Sequence, residues 1–417
     1  MEFFNFLDFS VTPFHTVEFL RSELDKSGFA PVNFEDSQSL VPGKAYYAVR
    51  GGALVAFWMP RNVVSTSKFR LALAHTDFPA LKVTPNPDKS CAGVSTLHTE
   101  VYGSPLFTSW LDRDLGYAGL LAFEKSGKLE TKLVRGEKLF RIPQLAVHLN
   151  RGVNQDGLKV NPQTDLDALW VGGEKSAKFV DSLQSLLAPD EKLLDFDVQL
   201  FDAQGANKGG MNDEWIYSGR LDNLSSCHAI AEALLKTEAS ENDFVVAAFF
   251  NNEEVGSTTR EGAAGNFLQS LLRWMWNGAK LPQELLDVSL SESLALSIDM
   301  AHAMHPDFPQ KHESNHAPIL GEGIVLKSNA QKRYASDVLA SARLKMLCES
   351  ASVKLQTFIG RNDIPCGSTV GPTISARLGI PTVDIGEPML SMHSIREMMA
   401  VSDHESMIRL VNGFFCA

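Results

Sequence analysis

The sequence predicts an α/β fold, with a mostly parallel sheet flanked by helices and a strand-rich segment inserted into it. Short apolar runs of strand-like character alternate with helix-like stretches in the outer parts of the 417-residue chain. Several apolar runs end on acids or histidines, as strands do at the functional edge of an open α/β sheet. A long interval between two of these runs contains none of the candidate ligands, which indicates an insertion.

The helix-like stretches alternate with the strand runs, and this alternation predicts a sheet whose strands run mostly parallel. The predicted helices are residues 15–27, 175–187, 225–237, 262–276, 331–350 and 395–412. The clearest strand is residues 244–250, an uninterrupted apolar run of the kind that is buried on both faces of a parallel sheet.

The interval without candidate ligands predicts the domain organisation. It lies between His75 and Asp222 and contains strand-like pieces. We therefore expect a discontinuous outer domain, residues 1–79 and 211–417, with residues 80–210 inserted as a second domain. Residues 206–213, rich in Gly and Asn, are expected to form the returning linker.

Composition excludes several classes of protein. A formal net charge of -12 argues against nucleic-acid binding, which calls for a basic patch. No apolar run approaches the roughly 20 residues of a membrane helix, and the amino terminus lacks the basic leader of a signal peptide. The five cysteines are scattered without zinc-finger spacing, so we expect a reduced, cytoplasmic setting.

The strand at residues 244–250 leads into two adjacent acids, Glu253 and Glu254. Neighbouring side chains on an extended segment point to opposite faces, so one acid can ligate a metal while the other handles a proton. Adjacent glutamates are also common on solvated surfaces. The buried strand before this pair favours a functional site.

Four further segments carry potential ligands. His75 and Asp77 follow a strand-like run, although a His-x-Asp pair is often an ordinary hydrogen-bonded pair. Asp222 precedes a helix-like stretch and would also suit a helix N-cap. Asp299 follows a strand-like run, and His393 comes just before the last predicted helix.

Together these residues suit two divalent cations such as Zn²⁺. In a two-metal hydrolase one carboxylate bridges the ions and further nitrogen or oxygen ligands complete each of them. An unligated carboxylate then takes the proton of the bridging water. The residues therefore predict metal-dependent hydrolysis.

These segments, in this order, resemble the M18 family of metallo-aminopeptidases, the aspartyl aminopeptidase group. The resemblance covers nearly the whole chain. The matching segments are residues 7–9, 12–15, 74–79, 108–116, 141–149, 219–224, 252–257, 299–303, 311–316, 332–335, 365–372 and 392–397.

The resemblance implies a role for each candidate. Asp222 would bridge two zinc ions in each subunit, with Co²⁺ or Mn²⁺ as possible replacements. The remaining metal ligands would be His75 and Asp299 on one ion, and Glu254 and His393 on the other. Glu253 would be the general base, and Asp77 would orient His75 through the second ring nitrogen. The implied activity is removal of the first residue from peptides with a free amino terminus.

The resemblance also implies substrate-binding residues. Lys327, His302 and Tyr334 fall at substrate-contacting positions, and Lys327 would meet an acidic first side chain. Lys327 could equally be an ordinary surface lysine, and some members of the family prefer neutral residues. His148 would contact substrate, in related enzymes by reaching the site of a neighbouring subunit, although a histidine in an apolar stretch is more often packed in the core.

In the family, the region that corresponds to residues 80–210 is a dimerisation domain, and dimers assemble into a hollow tetrahedral dodecamer. The outer domain would be the catalytic metallopeptidase domain. Two alternatives remain open at this level. One is a related two-metal hydrolase, such as an amino-acid deacylase or a glutamyl aminopeptidase of a neighbouring family. The other is a non-catalytic, metal-stabilised scaffold or cargo protein.

Overall fold

A computed structural model describes residues 1–34, 40–172 and 178–417. Within these ranges the helices are α1 (Phe3–Phe9), α2 (Pro13–Lys26), α3 (Phe107–Trp110), α4 (Val153–Asp156), α5 (Phe179–Gln184), α6 (Leu221–Leu235), α7 (Phe267–Gly278), α8 (Leu286–Glu292), α9 (Val338–Ser350), α10 (Val370–Leu378) and α11 (Val401–Cys416). No helix of the described residues is long and apolar enough to cross a membrane.

The strands in the same ranges are β1 (Ala30–Pro31), β2 (Ala45–Arg50), β3 (Ala53–Trp58), β4 (Phe69–His75), β5 (Ala80–Cys91), β6 (Val94–Tyr102), β7 (Leu115–Lys125), β8 (Lys128–Phe140), β9 (Ala168–Gly172), β10 (Glu191–Asp202), β11 (Asn207–Gly209), β12 (Trp215–Ser218), β13 (Phe244–Phe250), β14 (Leu294–Ile298), β15 (Ala301–His302), β16 (Ile324–Lys327), β17 (Leu355–Phe358), β18 (Thr382–Gly386), β19 (Pro388–Leu390) and β20 (Glu397–Ala400). They form three sheets.

The largest sheet has nine strands in the order β1-β2-β3-β13-β4-β14-β18-β16-β17. Its centre, β13-β4-β14-β18, is parallel throughout, as are the outer pairs β1-β2 and β16-β17. The remaining pairs are antiparallel. The prediction of a mostly parallel sheet in an α/β fold is therefore confirmed.

Helices cover both faces of this sheet. All seven residues of β13 are buried, and they alternate between two cores: Val245 and Phe249 belong to one, and Phe244 and Val246 to the other. The first core also contains residues of α2, α6, α9 and α11, and the second contains residues of α7, α8 and α10. Because β13 is covered on both sides, it is apolar at every position instead of at alternate ones.

A six-stranded antiparallel sheet, in the order β8-β7-β10-β5-β6-β9, lies within residues 80–202 and has a separate apolar core. This range falls inside the predicted insertion at 80–210, whose status as a distinct domain stays a prediction. The third sheet, β11-β12-β20-β19-β15, includes part of the expected linker. Residues 206–213 are therefore not a simple linker, because β11 pairs with β12 in an antiparallel hairpin.

Some predicted helix boundaries were wrong. Residues 397–400 of the predicted last helix form β20, whose Met399 pairs with Met389, so His393 precedes a strand and α11 begins only at Val401. Helix α9 begins at Val338 because the Asp337 carboxylate caps its first turn. In the stretch predicted at 175–187, residues 175–177 lie outside the described residues and α5 covers Phe179–Gln184.

Candidate metal centre

The predicted ligands meet at one edge of the nine-stranded sheet. His75 is the last residue of β4, and it lies beside Phe250, the last residue of β13. Glu253 follows β13 closely, and Asp299 follows the neighbouring strand β14. Carboxyl ends of adjacent parallel strands meet at the same edge, so residues distant in sequence converge there.

Asp222 lies between the two histidines. Its Oδ1 atom is 3.5 Å from His75 Nε2, and its Oδ2 atom is 3.5 Å from His393 Nε2. The same Nε2 atom of each histidine also lies near a second carboxylate. Asp299 Oδ1 is 3.5 Å from His75 Nε2, and Glu254 Oε1 is 3.4 Å from His393 Nε2. The arrangement is two imidazole–carboxylate pairs that share one central carboxylate.

These separations are long for hydrogen bonds but suit ligands of a common ion. Two ligand atoms about 2.0–2.1 Å from a tetrahedral Zn²⁺ lie roughly 3.3–3.4 Å apart. Among the described residues, His75, Asp222 and Glu254 bring one potential ligand atom each to within 4.8 Å of one another. The spacing thus fits metal coordination.

Asp222 has a second feature that fits a cation. Its Oδ1 atom is buried and, within the described part of the chain, accepts no hydrogen bond. A buried carboxylate oxygen without a donor is costly unless a cation satisfies it. Asp222 lies at a kink in the first turn of α6, with φ of -82° and ψ of 106°, and its Oδ1 atom caps no backbone N–H of that helix.

The acidic pair, Glu253 and Glu254, lies on a short 3₁₀ turn that ends at Val255. The prediction of an extended segment was therefore wrong at this point. Asn252 has a left-handed φ of 63°, so the chain changes direction there and enters the turn. Both glutamates nevertheless line the same cavity, together with His75, Asp222, Asp299 and His393.

Asp77 is fully buried and links the acidic turn to His75. Its Oδ1 accepts the backbone N–H of Glu253 at 3.0 Å, and its Oδ2 accepts that of Glu254 at 3.1 Å. Towards His75 Nδ1, the backbone carbonyl of Asp77 lies at 3.0 Å and the carboxylate Oδ1 at 3.5 Å. Asp77 thus contacts both the acidic turn and the ring nitrogen of His75 that points away from Asp222.

Burial and crowded carboxylates shift the proton affinities here. Burial raises the pKa of Glu253 to about 7, with nearby Asp299 adding to the rise and His75 opposing it. Burial lowers the pKa of His75, but the facing carboxylates of Asp222 and Asp299 outweigh it and raise that pKa well above its usual value. Such an excess of buried negative charge favours bound cations.

Three of the four predicted substrate residues line this cavity: His302, Lys327 and Tyr334. Lys327 is buried, so the surface-lysine alternative is wrong. Its ammonium donates to the Met300 carbonyl at 3.0 Å, lies 3.6 Å from Asp299 Oδ2 and sits 5.3 Å from the centre of the Tyr334 ring.

His148 is not among the residues that line this cavity. It lies on an exposed turn between Leu145 and Leu149, both of which are exposed too. The alternative of a packed core histidine is therefore wrong. A contact with substrate in a neighbouring subunit stays a prediction.

Sequence interpretation missed three residues at this site. Glu397 is buried and accepts the backbone N–H groups of His393 at 2.7 Å and Asp222 at 3.1 Å. It lies in one of the matched segments, which was an available signal. Tyr102 donates to Asp77 Oδ2 at 2.7 Å, and the Ser104 carbonyl lies 3.0 Å from His393 Nδ1. No sequence pattern pointed to these two.

The histidines and acids that converge at the carboxyl edge of this mostly parallel α/β sheet fit a metal-dependent hydrolase. Comparison with known proteins gives the family. The family model described as aminopeptidase I zinc metalloprotease (M18) matches residues 6–415. The chain therefore belongs to the M18 family of zinc aminopeptidases, which are metallo-exopeptidases.

Relatives span the whole chain. It is 38% identical over 423 residues to probable M18 family aminopeptidase 2 of Pseudomonas aeruginosa strain UCBPP-PA14, covering 99% of this chain and 97% of that protein. Ape4, solved in complex with Nbr1, has a TM-score of 0.93 at 34% identity, covering 99% of this chain and 84% of Ape4. The structure of the S. cerevisiae mApe1 dodecamer has a TM-score of 0.86 at 29% identity, covering 99% of this chain and 95% of the mApe1 chain.

Proposed function

We propose that this protein is a two-zinc aminopeptidase that removes an amino-terminal aspartate or glutamate, with Glu253 as the general base. One observation carries the two-metal assignment: Asp222 directs one carboxylate oxygen towards His75 and the other towards His393. A carboxylate that bridges two ions needs this arrangement. The orphaned Oδ1 atom of Asp222 supports it further.

The side chains would divide into two ligand sets around Asp222. His75 and Asp299 would hold one zinc ion, and Glu254 and His393 the other. Asp77 would orient His75 through its Nδ1 atom, and the tautomer with a proton on Nδ1 leaves Nε2 free for metal. When bound, two zinc ions would lower the pKa of a shared water and polarise the scissile carbonyl.

Glu253 would accept the proton of the attacking water and later donate it to the departing amine. It lines the cavity without belonging to either ligand set. A general base must lie close to the attacking water without being a metal ligand, and the position of Glu253 beside Glu254 on the same turn supports this role. The free amino group of the substrate would sit against the metal site and nearby carboxylates, which restricts cleavage to the first residue.

Lys327 supports the acidic preference. Its buried ammonium lines the cavity beside Asp299 and Tyr334. An acidic first side chain would pair with this cation, whereas a neutral one would leave it without a substrate partner inside a largely desolvated pocket. His302 and Tyr334 would form the neighbouring walls of the same pocket.

The proposed function predicts chelator-sensitive release of a fluorescent amine from aspartyl and glutamyl amides in preference to leucyl amide. The same preparation is assayed before chelation, after chelation and after zinc, cobalt or manganese is restored. Leucyl preference would keep the metal mechanism but contradict the acidic pocket. Inactivity with every metal would favour the scaffold alternative.

Replacing Lys327 by methionine is expected to reduce the aspartyl-to-leucyl ratio of kcat/KM by about 100-fold, since removing one partner of a buried charge pair costs roughly 2–5 kcal/mol. The measurement is kcat/KM for both amides with zinc content determined in parallel. Lys345→Met, which removes an exposed lysine of α9, is the matched control. Loss of zinc at an unchanged ratio would mean that Lys327 serves Asp299 instead of the substrate.

We also propose that residues 80–210 are a dimerisation domain and that subunits assemble into a dodecamer in the cytoplasm. The dodecamer of mApe1 supports this assembly. The exposed apolar side chains of Leu145 and Leu149 beside His148 suit an interface, through which His148 would reach a neighbouring site. Free cysteines throughout the described chain suit a reducing compartment.

A further inference from the structure

We infer that Tyr102, the last residue of β6, and the two residues after it, Gly103 and Ser104, brace both halves of the metal centre from the inserted sheet, with Tyr102 as a positioning residue. We call residues 102–104 the brace. None of the three is itself a candidate ligand. The inference rests on the proposed two-metal site, and it assigns to the six-stranded sheet a task inside that site.

Tyr102 acts on the half that contains His75. Its hydroxyl donates to Asp77 Oδ2 at 2.7 Å and accepts the Asn252 side-chain amide at 3.0 Å. Asp77 in turn accepts the backbone N–H groups of Glu253 and Glu254. The phenol therefore fixes the carboxylate on which the acidic turn depends, in the same residue whose backbone carbonyl lies 3.0 Å from His75 Nδ1.

Ser104 acts on the other half. Its backbone carbonyl lies 3.0 Å from His393 Nδ1, which selects the tautomer that leaves Nε2 free to face Asp222 and Glu254. Two residues further on, the Leu106 backbone N–H donates to the His393 carbonyl at 2.9 Å. The segment after β6 thus holds both the ring and the backbone of this histidine.

Gly103 permits the brace to approach Glu254 closely. Its φ is 69°, in the left-handed region, and a Cβ at this position would lie 3.1 Å from Glu254 Cβ and 3.4 Å from Glu254 Oε2. Any larger residue would both strain the backbone and push against a candidate ligand. Glycine therefore keeps the brace in contact with Glu254 without displacing it.

Because one short segment contacts both halves, a shift of the inserted sheet would disturb the ligands of both ions together. Metal retention should therefore depend on the brace even though it contributes no ligand. Outer-layer partners of metal ligands typically account for about 10–100-fold in metal affinity. We expect changes of that size when the brace is altered.

The test measures zinc retention in the purified holoenzyme. Wild type, Tyr102→Phe and Gly103→Ala are mixed with a chromogenic chelator, and the amount and rate of zinc release are followed by absorbance. We expect both variants to lose zinc at least about 10-fold faster than wild type. Tyr117→Phe is the matched control, since it removes a hydroxyl within the core of the same sheet, where the ring packs against Phe140 and Phe179.

The readouts separate positioning from a general loss of structure. The midpoint of thermal unfolding of the zinc-free proteins is expected to stay within a few degrees of wild type, and excess zinc is expected to restore kcat of Tyr102→Phe. Zinc release from Tyr102→Phe and Gly103→Ala at the wild-type rate would overturn the brace and leave the two-metal site standing. Equally fast release from Tyr117→Phe would also overturn it. A wild type that binds fewer than two zinc ions would instead overturn the proposed function.

Discussion

Glu253→Gln is expected to lower kcat by about 10²–10⁴-fold while the enzyme keeps its zinc. Glutamine preserves the shape of the side chain but cannot accept a proton at neutral pH. Glu253 lines the cavity and, in the proposed assignment, ligates neither ion, so its loss should leave the metal sites intact. Steady-state kinetics with zinc analysis of the same samples measure both quantities.

Glu254→Gln is the informative comparison, because the two acids are adjacent on one turn. Its expected defect is the opposite one: zinc is lost from the half that contains His393, since Glu254 Oε1 faces His393 Nε2. Exposed Glu238 provides a neutral control as Glu238→Gln. Near-normal turnover of Glu253→Gln would refute the role of general base, and full biological activity of such a protein would favour the scaffold alternative.

The sequence predicted the centre of the fold well because its signals there are local and strong. Seven consecutive apolar residues define β13, because a strand that is buried on both faces is apolar at every position. The acids and the histidine at the carboxyl ends of β4, β13 and β14 were found for a related reason. Polar residues that directly follow buried strands are conspicuous, and strand direction brings them to one edge.

The errors arose where short elements resemble their neighbours. Strand β20 has only four residues and runs directly into α11, so its apolar residues extended the helical pattern. Strand β11, three residues long, was hidden in a segment rich in Gly and Asn. The turn at Glu253 depends on two hydrogen bonds to Asp77, a residue 176 positions away from Glu253, which no local pattern encodes.

The brace was beyond sequence interpretation for the same physical reason. Tyr102 is the last residue of β6, and its partner Asp77 lies 25 positions earlier. The Ser104 contact to His393 spans 289 positions and uses a backbone carbonyl, which a residue of any type could supply. Contacts of this kind become visible only when the inserted sheet is packed against the metal centre.

The second large effect is expected for Asp222→Asn, which should weaken zinc binding at both positions and abolish most turnover. Removing one partner from a buried charge cluster costs about 3–5 kcal/mol, which corresponds to roughly 10²–10³-fold or more in affinity. Asparagine keeps one potential oxygen ligand and loses the charge. Zinc titration by calorimetry measures the number of sites and their affinities.

Asp403→Asn is the matched control, because Asp403 is equally buried but accepts the backbone N–H groups of Gly321 and Gly323 away from the cavity. Added zinc should raise the unfolding temperature of wild type and of Asp403→Asn, since a ligand that binds only the folded state stabilises it. Asp222→Asn should lose most of this rise. A variant that loses one ion and binds the other with wild-type affinity would show that Asp222 ligates a single ion. Weakening of both ions together is the result that a bridging carboxylate requires, because its two oxygens lie at equal distances from the two histidines.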